Sequence, residues 1–207
     1  YAERKSIKNR LPDLYPHVAY ASLPPAAEVS DLRSVLNDAL GQKYRIIREL
    51  TGGGMARVFL GEEVALEREI VIKVLAPDLM DEMRVERFRH EVMQTARLQH
   101  PTIVQLLEVG TVHDPGGRYL PYYVMPYVRG ESLRSRLRQE GRISVGSTIR
   151  ILRGVLDALA HAHAHGVVHR DVKPENIFLS GSSTVLVDFG IAKAIAGPGS
   201  AGARTSE

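Results

Sequence analysis

From Tyr44 onward, apolar residues fall in short β-prone pieces, 44–50, 57–63 and 69–75, set off by glycines and polar turns. That texture predicts three antiparallel strands. Over 79–98 the period changes: Val85, Phe88, Val92 and Ala96 recur at helical steps and His100-Pro101 ends the run, which predicts a helix. Two further strands are expected at 104–112 and 119–125, parted by the turn Asp114-Pro115-Gly116-Gly117. After Gly130 the texture is helical. Ile149, Leu152, Leu156, Leu159 and His163 step by threes and fours, giving a long amphipathic helix that stops at Gly166. Ahead of the first strand, Ser30 or Asp31 caps a short helix with Leu32, Val35, Leu36 and Leu40 on one side and Gly41 as its stop. This helix is placed to pack on the lobe that follows. Residues 1–30 show no sustained period and hold Pro12, Pro16, Pro24 and Pro25, so they read as a flexible arm.

Composition narrows the class. A chain of 207 residues with 44% hydrophobic and 25% charged residues suits a soluble protein of one medium domain or two small lobes. The formal charge of +3 is supplied by the first ten residues, where Arg4, Lys5, Lys8 and Arg10 face only Glu3. The folded part is therefore balanced, which argues against a nucleic-acid surface. Without cysteine there is neither a disulfide framework nor a thiolate metal site, in keeping with a reducing, cytoplasmic setting. No stretch nears the roughly 18 uninterrupted apolar residues of a membrane helix. Pro12, Asp13 and Pro16 break what a signal peptide needs as an apolar core.

The chemistry is concentrated in two runs. His169-Arg170-Asp171-Val172-Lys173-Pro174-Glu175-Asn176 sets a carboxylate, a cation and a carboxamide at the spacing phosphoryl transfer needs, and Asp188-Phe189-Gly190 follows shortly after. A solvated polar loop explains single residues of this set but not the whole run. Upstream, Thr51-Gly52-Gly53-Gly54-Met55-Ala56-Arg57-Val58 lies between two strands, where glycine lets backbone N–H groups approach phosphates. By itself it also reads as a glycine-rich hairpin, and the strand that follows excludes a dinucleotide-binding crossover. Lys73, in Ile70-Val71-Ile72-Lys73, faces inward from an apolar strand and needs a counter-charge. His161, His163 and His165 lack the third ligand of a zinc site and are expected at the end of the long helix, meeting its dipole.

The two runs resemble the catalytic-loop and metal-binding signatures of the eukaryotic-like serine/threonine protein kinases, H-R-D-x-x-x-x-N and D-F-G. The glycine tripeptide Gly53-Gly54-Met55 and the stretch Met125-Pro126-Tyr127-Val128-Arg129-Gly130-Glu131-Ser132-Leu133 resemble the bacterial members in particular. The resemblance implies an α+β, bilobal kinase-like fold. Its small lobe is mainly antiparallel β with one helix, and its mainly helical large lobe is incomplete. The implied layout is an arm at 1–30, a leading helix at 31–43, the small lobe at 44–125, a hinge at 126–130 and a partial large lobe at 131–207. The family's A-P-E element and later helices do not appear before Glu207. A cut within the activation segment is implied, with apolar surface of the long helix left uncovered.

The resemblance also implies roles. Asp171 orients the substrate hydroxyl and accepts its proton, Lys173 steadies the phosphoryl group and favours serine/threonine specificity, and Lys73 with Glu91 holds the α- and β-phosphates. The ATP site is formed by Leu50, Thr51, Gly52, Gly53, Gly54, Met55, Ala56, Val58, Val71, Lys73, Met125, Pro126 and Val128. Thr51 and Ala56 stand where the family has glycines, and Val71 where it commonly has alanine. Pro126 lacks an N–H, but the family's hinge uses the carbonyl there and the N–H two residues on. Asn176 and Asp188 ligate magnesium or manganese. His169 is implied to pack near Phe189 rather than to act as a base. Protein substrates, autophosphorylation in trans and an activation-loop acceptor at Thr205, Ser206 or Ser200 follow from the same likeness. The competing readings are a pseudokinase or nucleotide-binding scaffold, and a small-molecule kinase of similar fold. Retention of Lys73, Asp171 and Asp188 favours the enzyme.

Overall fold

A computed structural model describes residues 26–51, 56–75 and 82–189. Helix α1, Ala26–Leu40, leads into strands β1 (Tyr44–Thr51), β2 (Ala56–Glu63) and β3 (Arg68–Leu75), then helix α2 (Glu82–Ala96) and strands β4 (Glu108–His113) and β5 (Tyr119–Pro126). These strands form one antiparallel sheet in the order β1-β2-β3-β5-β4. Beyond it lie β6 (Glu131–Ser132), α3 (Leu133–Glu140), α4 (Val145–Ala164), a 3-10 turn (Pro174–Asn176), β7 (Ile177–Ser180) and β8 (Ser183–Leu186). The last three strands make a small second sheet in the order β6-β7-β8. The expected strand-rich lobe followed by a helical one is thus present.

The five-stranded sheet is buried on both faces, and strand alternation sorts its residues. On β3, Ile70, Ile72 and Val74 pack with Leu36 and Val35 of α1, whereas Val71 and Leu75 pack with Phe88 and Val92 of α2. Lys73 falls on the α2 side by the same period of two. On β5 the split is Leu120, Tyr122 and Val124 against Tyr123 and Met125. Glu108 on β4 accepts from Tyr44 Oη at 2.7 Å and Tyr122 Oη at 2.9 Å and pairs with Lys43, which ties the two ends of the strand order together. Burial opposes ionisation of Glu108, but these three donors hold its carboxyl below the usual range.

Several boundaries differ from the sequence expectation. Helix α1 starts at Ala26, directly after Pro24-Pro25, rather than near Ser30: proline restricts the residue before it, and Ala-Ala-Glu then favours a helix at once. Residues 104–107 lie outside β4, because the preceding segment is stitched to the large lobe. Val104 N donates to Leu186 O at 3.0 Å and Leu186 N to Thr102 O at 2.8 Å. On α4 the buried face is Ile151, Val155, Ala158 and Ala162, while Ile149, Leu152 and Leu156 of the expected stripe are exposed. The small residues win because the helix sits close on β8, where a Cβ on Gly154 would meet Thr184 Cβ at 2.7 Å. Strands β6 to β8 are additions that the sequence pattern did not single out.

The link between the lobes depends on Gly130. Its φ is +147°, and an added Cβ would meet the carbonyl oxygen of Leu179 at 2.1 Å. Gly130→Ala is expected to lower stability by about 1–3 kcal/mol through backbone strain, read from urea midpoints; an unchanged midpoint would contradict the crowded hinge.

Candidate active site

Strand alternation and chain topology bring the expected nucleotide residues together. Val58, Val71 and Met125 belong to one buried cluster, and Leu50, Ala56 and Val128 pack against it. The cluster includes Phe178 of β7, so the large lobe supplies one wall of this apolar surface. Phe178 was missed in the sequence. Its signal was an apolar residue two places after Asn176, at the start of a strand too short to register as a pattern. Pro126 closes β5 opposite Ile70, and Tyr127 N donates to Glu69 O at 3.1 Å. The run Gly52–Met55 and the side chain of Thr51 lie outside the described residues, as do Thr205, Ser206 and Ser200.

The polar groups converge beside this cluster. Asp171 Oδ2 lies 2.8 Å from Lys173 Nζ, and Asn176 Nδ2 donates to Asp171 O at 2.9 Å and to its Oδ2 at 3.2 Å. Proline at the first position of the 3-10 turn fixes the backbone that carries Asn176. Lys73 pairs with Asp188, both largely buried. The counter-charge expected at Glu91 is therefore at Asp188 instead, and Glu91 Oε1 receives Arg170 Nη1 at 3.0 Å. Arg170 lies next to Asp171 in sequence and bridges to α2, a contact that no local spacing reveals.

Backbone strain gathers here too. Among the described residues, three non-glycine positions have positive φ: Glu67, Arg170 at +62° and Asp188 at +60°. Two of them are in the site, and each is held by an ion pair to the other lobe. Asp188 Oδ1 is buried without a hydrogen-bond partner. An orphaned carboxylate oxygen on Asp188 and a carboxamide on Asn176 whose nitrogen is already engaged are donor types that suit a hard divalent cation. Asp188 and the oxygen of Asn176 thus fit the metal role expected of them. Farther along, Glu175 bonds Arg134 at 2.9 Å; burial opposes its ionisation, but that bond and a backbone N–H hold its carboxyl below the usual range.

His169 is a packing residue, as expected. It is fully buried, its ring stacks on Phe189 with centroids 4.6 Å apart, and its Nε2 meets Val187 O at 3.0 Å. Asp171 N donates to its Nδ1 at 3.2 Å. These partners select the neutral tautomer with the proton on Nε2. At the end of α4, His165 Nδ1 donates to His161 O at 2.8 Å, the helix-end role expected for it.

The domain match agrees with this geometry. Residues 44–206 match the model of the protein kinase domain. The chain is 40% identical over 169 residues to the serine/threonine-protein kinase PknB of Mycolicibacterium smegmatis, covering 81% of the chain and 27% of that protein. It is 36% identical over 163 residues to PrkC of Bacillus subtilis, with 78% and 24% covered. The chain thus spans about a quarter of the length of these relatives. Among solved structures, the kinase domain of Mycobacterium tuberculosis PknI superposes with a TM-score of 0.62 at 31% identity, over 72% of this chain and 60% of that one.

Burial depresses the His169 pKa below 6.5, against the smaller pull of Val187 O and the nearby carboxylates. The unfolded chain therefore takes up the proton first. The contribution is complete above the unfolded value of 6.5 and is lost as pH falls toward the folded value. Urea midpoints are expected to fall from pH 7.5 to 5.5, and His169→Phe is expected to flatten that dependence; equal slopes in the two proteins would reject it.

Proposed function

Since the chain belongs to the protein kinase domain family, we propose that it transfers the terminal phosphoryl group of ATP to serine or threonine hydroxyls of proteins. The observation that carries this reading is the set of pairings around Asp171 and Asp188: the Asp171 carboxylate is fixed by Asn176 and Lys173, and Asp188, the partner of Lys73, keeps a buried carboxylate oxygen without a partner. The relatives' description as serine/threonine-protein kinases supports the hydroxyl class.

Phosphoryl transfer asks the protein for position and charge more than for covalent chemistry. The apolar cluster of Val58, Val71, Met125 and Phe178 offers flat, water-excluding walls for adenine. Lys73 holds phosphate oxygens at the lobe boundary. Asp171 orients the attacking hydroxyl and takes its proton, and its hydrogen bonds keep the carboxylate from turning away. Lys173 stands beside it to balance charge on the transferred group. Asp188 and Asn176 hold the divalent ion, magnesium in our reading, which when bound neutralises phosphate charge. Glu91 acts on Lys73 once Arg170 releases it.

The finer assignments follow from the same reading. Residues 44–125 form the small lobe, 126–130 the hinge and 131–207 the portion of the large lobe that this chain carries. Protein substrates and phosphorylation in trans are the expected partners. Among the described residues no helix is long and apolar enough to cross a membrane, and we place the domain on the cytoplasmic side.

Asp171→Ala is expected to lower autophosphorylation about 10²–10⁴-fold, followed by intact mass after incubation with magnesium and ATP. Asp188→Asn should weaken the magnesium dependence of ATP binding and, by leaving Lys73 without its counter-charge, also lower the melting temperature. Phosphate uptake by the Asp171→Ala chain at the parental rate would remove Asp171 from the chemistry.

A further inference from the structure

Strand β1 changes face part-way along its length. Tyr44 and Ile46 pack on the α1 side of the sheet, yet Leu50, which strict alternation would put on that same side, packs with the nucleotide-side cluster. The reason is a slip in its pairing with β2. Ile46 opposes Gly61 and Arg48 opposes Leu60, so Ile47 is an extra residue with no partner of its own. One extra residue inverts the side of every position after it. Without the slip, Leu50 would point away from Val58 and Met125. A second slip, between Glu49 and Thr51, leaves Leu50 itself without a partner of its own and restores the original phase from Thr51 onward, so the inversion covers residues 48–50.

Strand β1 is the edge of the sheet, so the backbone groups it turns outward around the slip, at Ile46 and Ile47, must be satisfied from outside the ladder. Helix α1 satisfies them. Arg33 Nη2 donates to Ile47 O at 2.8 Å and to Ile46 O at 3.4 Å, and Asn37 Oδ1 accepts from Ile46 N at 3.2 Å. Arg33 and Asn37 are one helical turn apart, so both reach the same stretch of β1. The helix itself is anchored by Val35 and Leu36, buried against Tyr44, Ile46 and Ile72. The kinase-domain match begins at residue 44, so this clamp comes from outside the matched domain.

We propose that Arg33 and Asn37 are positioning residues for nucleotide binding: they fix the slip at Ile47 and thereby turn Leu50 toward the ATP site. The inference rests on the reading of that site as a nucleotide site. Neither side chain touches substrate. Their effect passes through the phase of β1, so it belongs to ATP affinity rather than to the proton transfer at Asp171.

The test uses the full 207-residue chain, with MgATP binding followed by calorimetry and amide hydrogen exchange read over residues 44–51. Asn37→Leu removes the acceptor for Ile46 N, and Arg33→Ala removes the donor to Ile47 O. Each is expected to weaken MgATP binding up to about ten-fold, the loss of one or two hydrogen bonds, and to speed exchange at 46–50. Asn37→Asp keeps the acceptor oxygen and should bind like the parent. Val35→Ala loosens the same helix without touching the clamp; it should lower the melting temperature and leave MgATP affinity unchanged. Parental affinity in both Asn37→Leu and Arg33→Ala, or equal weakening in Val35→Ala, would overturn the proposal. If the parent chain takes up no MgATP, the kinase reading falls with the positioning role. Exchange would then still judge the clamp: faster exchange in Asn37→Leu than in Asn37→Asp upholds it, and equal exchange rejects it.

Discussion

The ion pair between Lys73 and Asp188 is the constraint on which the rest of the site depends. Strand alternation on β3 delivers Lys73 into the apolar side of the sheet, and an ammonium there is costly to leave unpaired. Its partner comes from the other lobe, the second residue beyond the hairpin of β7 and β8. To reach it Asp188 adopts a positive φ, and one of its oxygens is left buried without a hydrogen bond. A single electrostatic demand in the small lobe thus sets both the backbone conformation of Asp188 and the oxygen it leaves unpartnered. Arg170, also at positive φ, makes the second crossing by reaching Glu91 on α2.

The fold was legible where each residue's neighbours lie close in sequence. The alternation of Ile70, Val71, Ile72, Lys73 and Val74 announced a strand buried on both faces, and the steps of Phe88 and Val92 announced α2. Asp171, Lys173, Asn176 and Asp188 were legible because their spacing along the chain is itself the chemical signature. What escaped was decided between distant segments. Lys73 had two carboxylates to choose from, and sequence order favoured Glu91. The choice of Asp188 depends on how the lobes meet, which no periodicity encodes. The buried face of α4 escaped for a related reason: large apolar residues at 149, 152 and 156 outweighed Ala158 and Ala162 in the pattern, while close approach to β8 favours the small ones.

The same distinction explains β1. Its apolar residues Ile46, Ile47 and Leu50 announce a strand, but not that Ile47 is skipped in the ladder. Pairing register is a two-strand property, and the side chains that stabilise this slip lie on a helix that precedes the matched domain. A domain boundary drawn from family resemblance alone starts at Tyr44 and omits Arg33 and Asn37. The physical unit, defined by buried contacts and satisfied backbone groups, extends back into α1.

Among the described residues, opposite charges in the site are matched: Lys73 with Asp188, Arg170 with Glu91, and Lys173 with Asp171. Such matching avoids an isolated charge beside an apolar cluster. It also constrains how a nucleotide can enter. Lys73 can turn to a phosphate only if Asp188 gains another cation, and Glu91 can turn to Lys73 only if Arg170 lets go. Phosphate arriving alone would strip Lys73 from Asp188 and leave a buried carboxylate unpaired; a divalent cation arriving alone would leave the ammonium in that position. Phosphate and metal together satisfy both partners in one exchange. Under the proposed function, this pairing would favour the metal-bound nucleotide over either component, by the same desolvation argument that accounts for Lys73 beside Asp188.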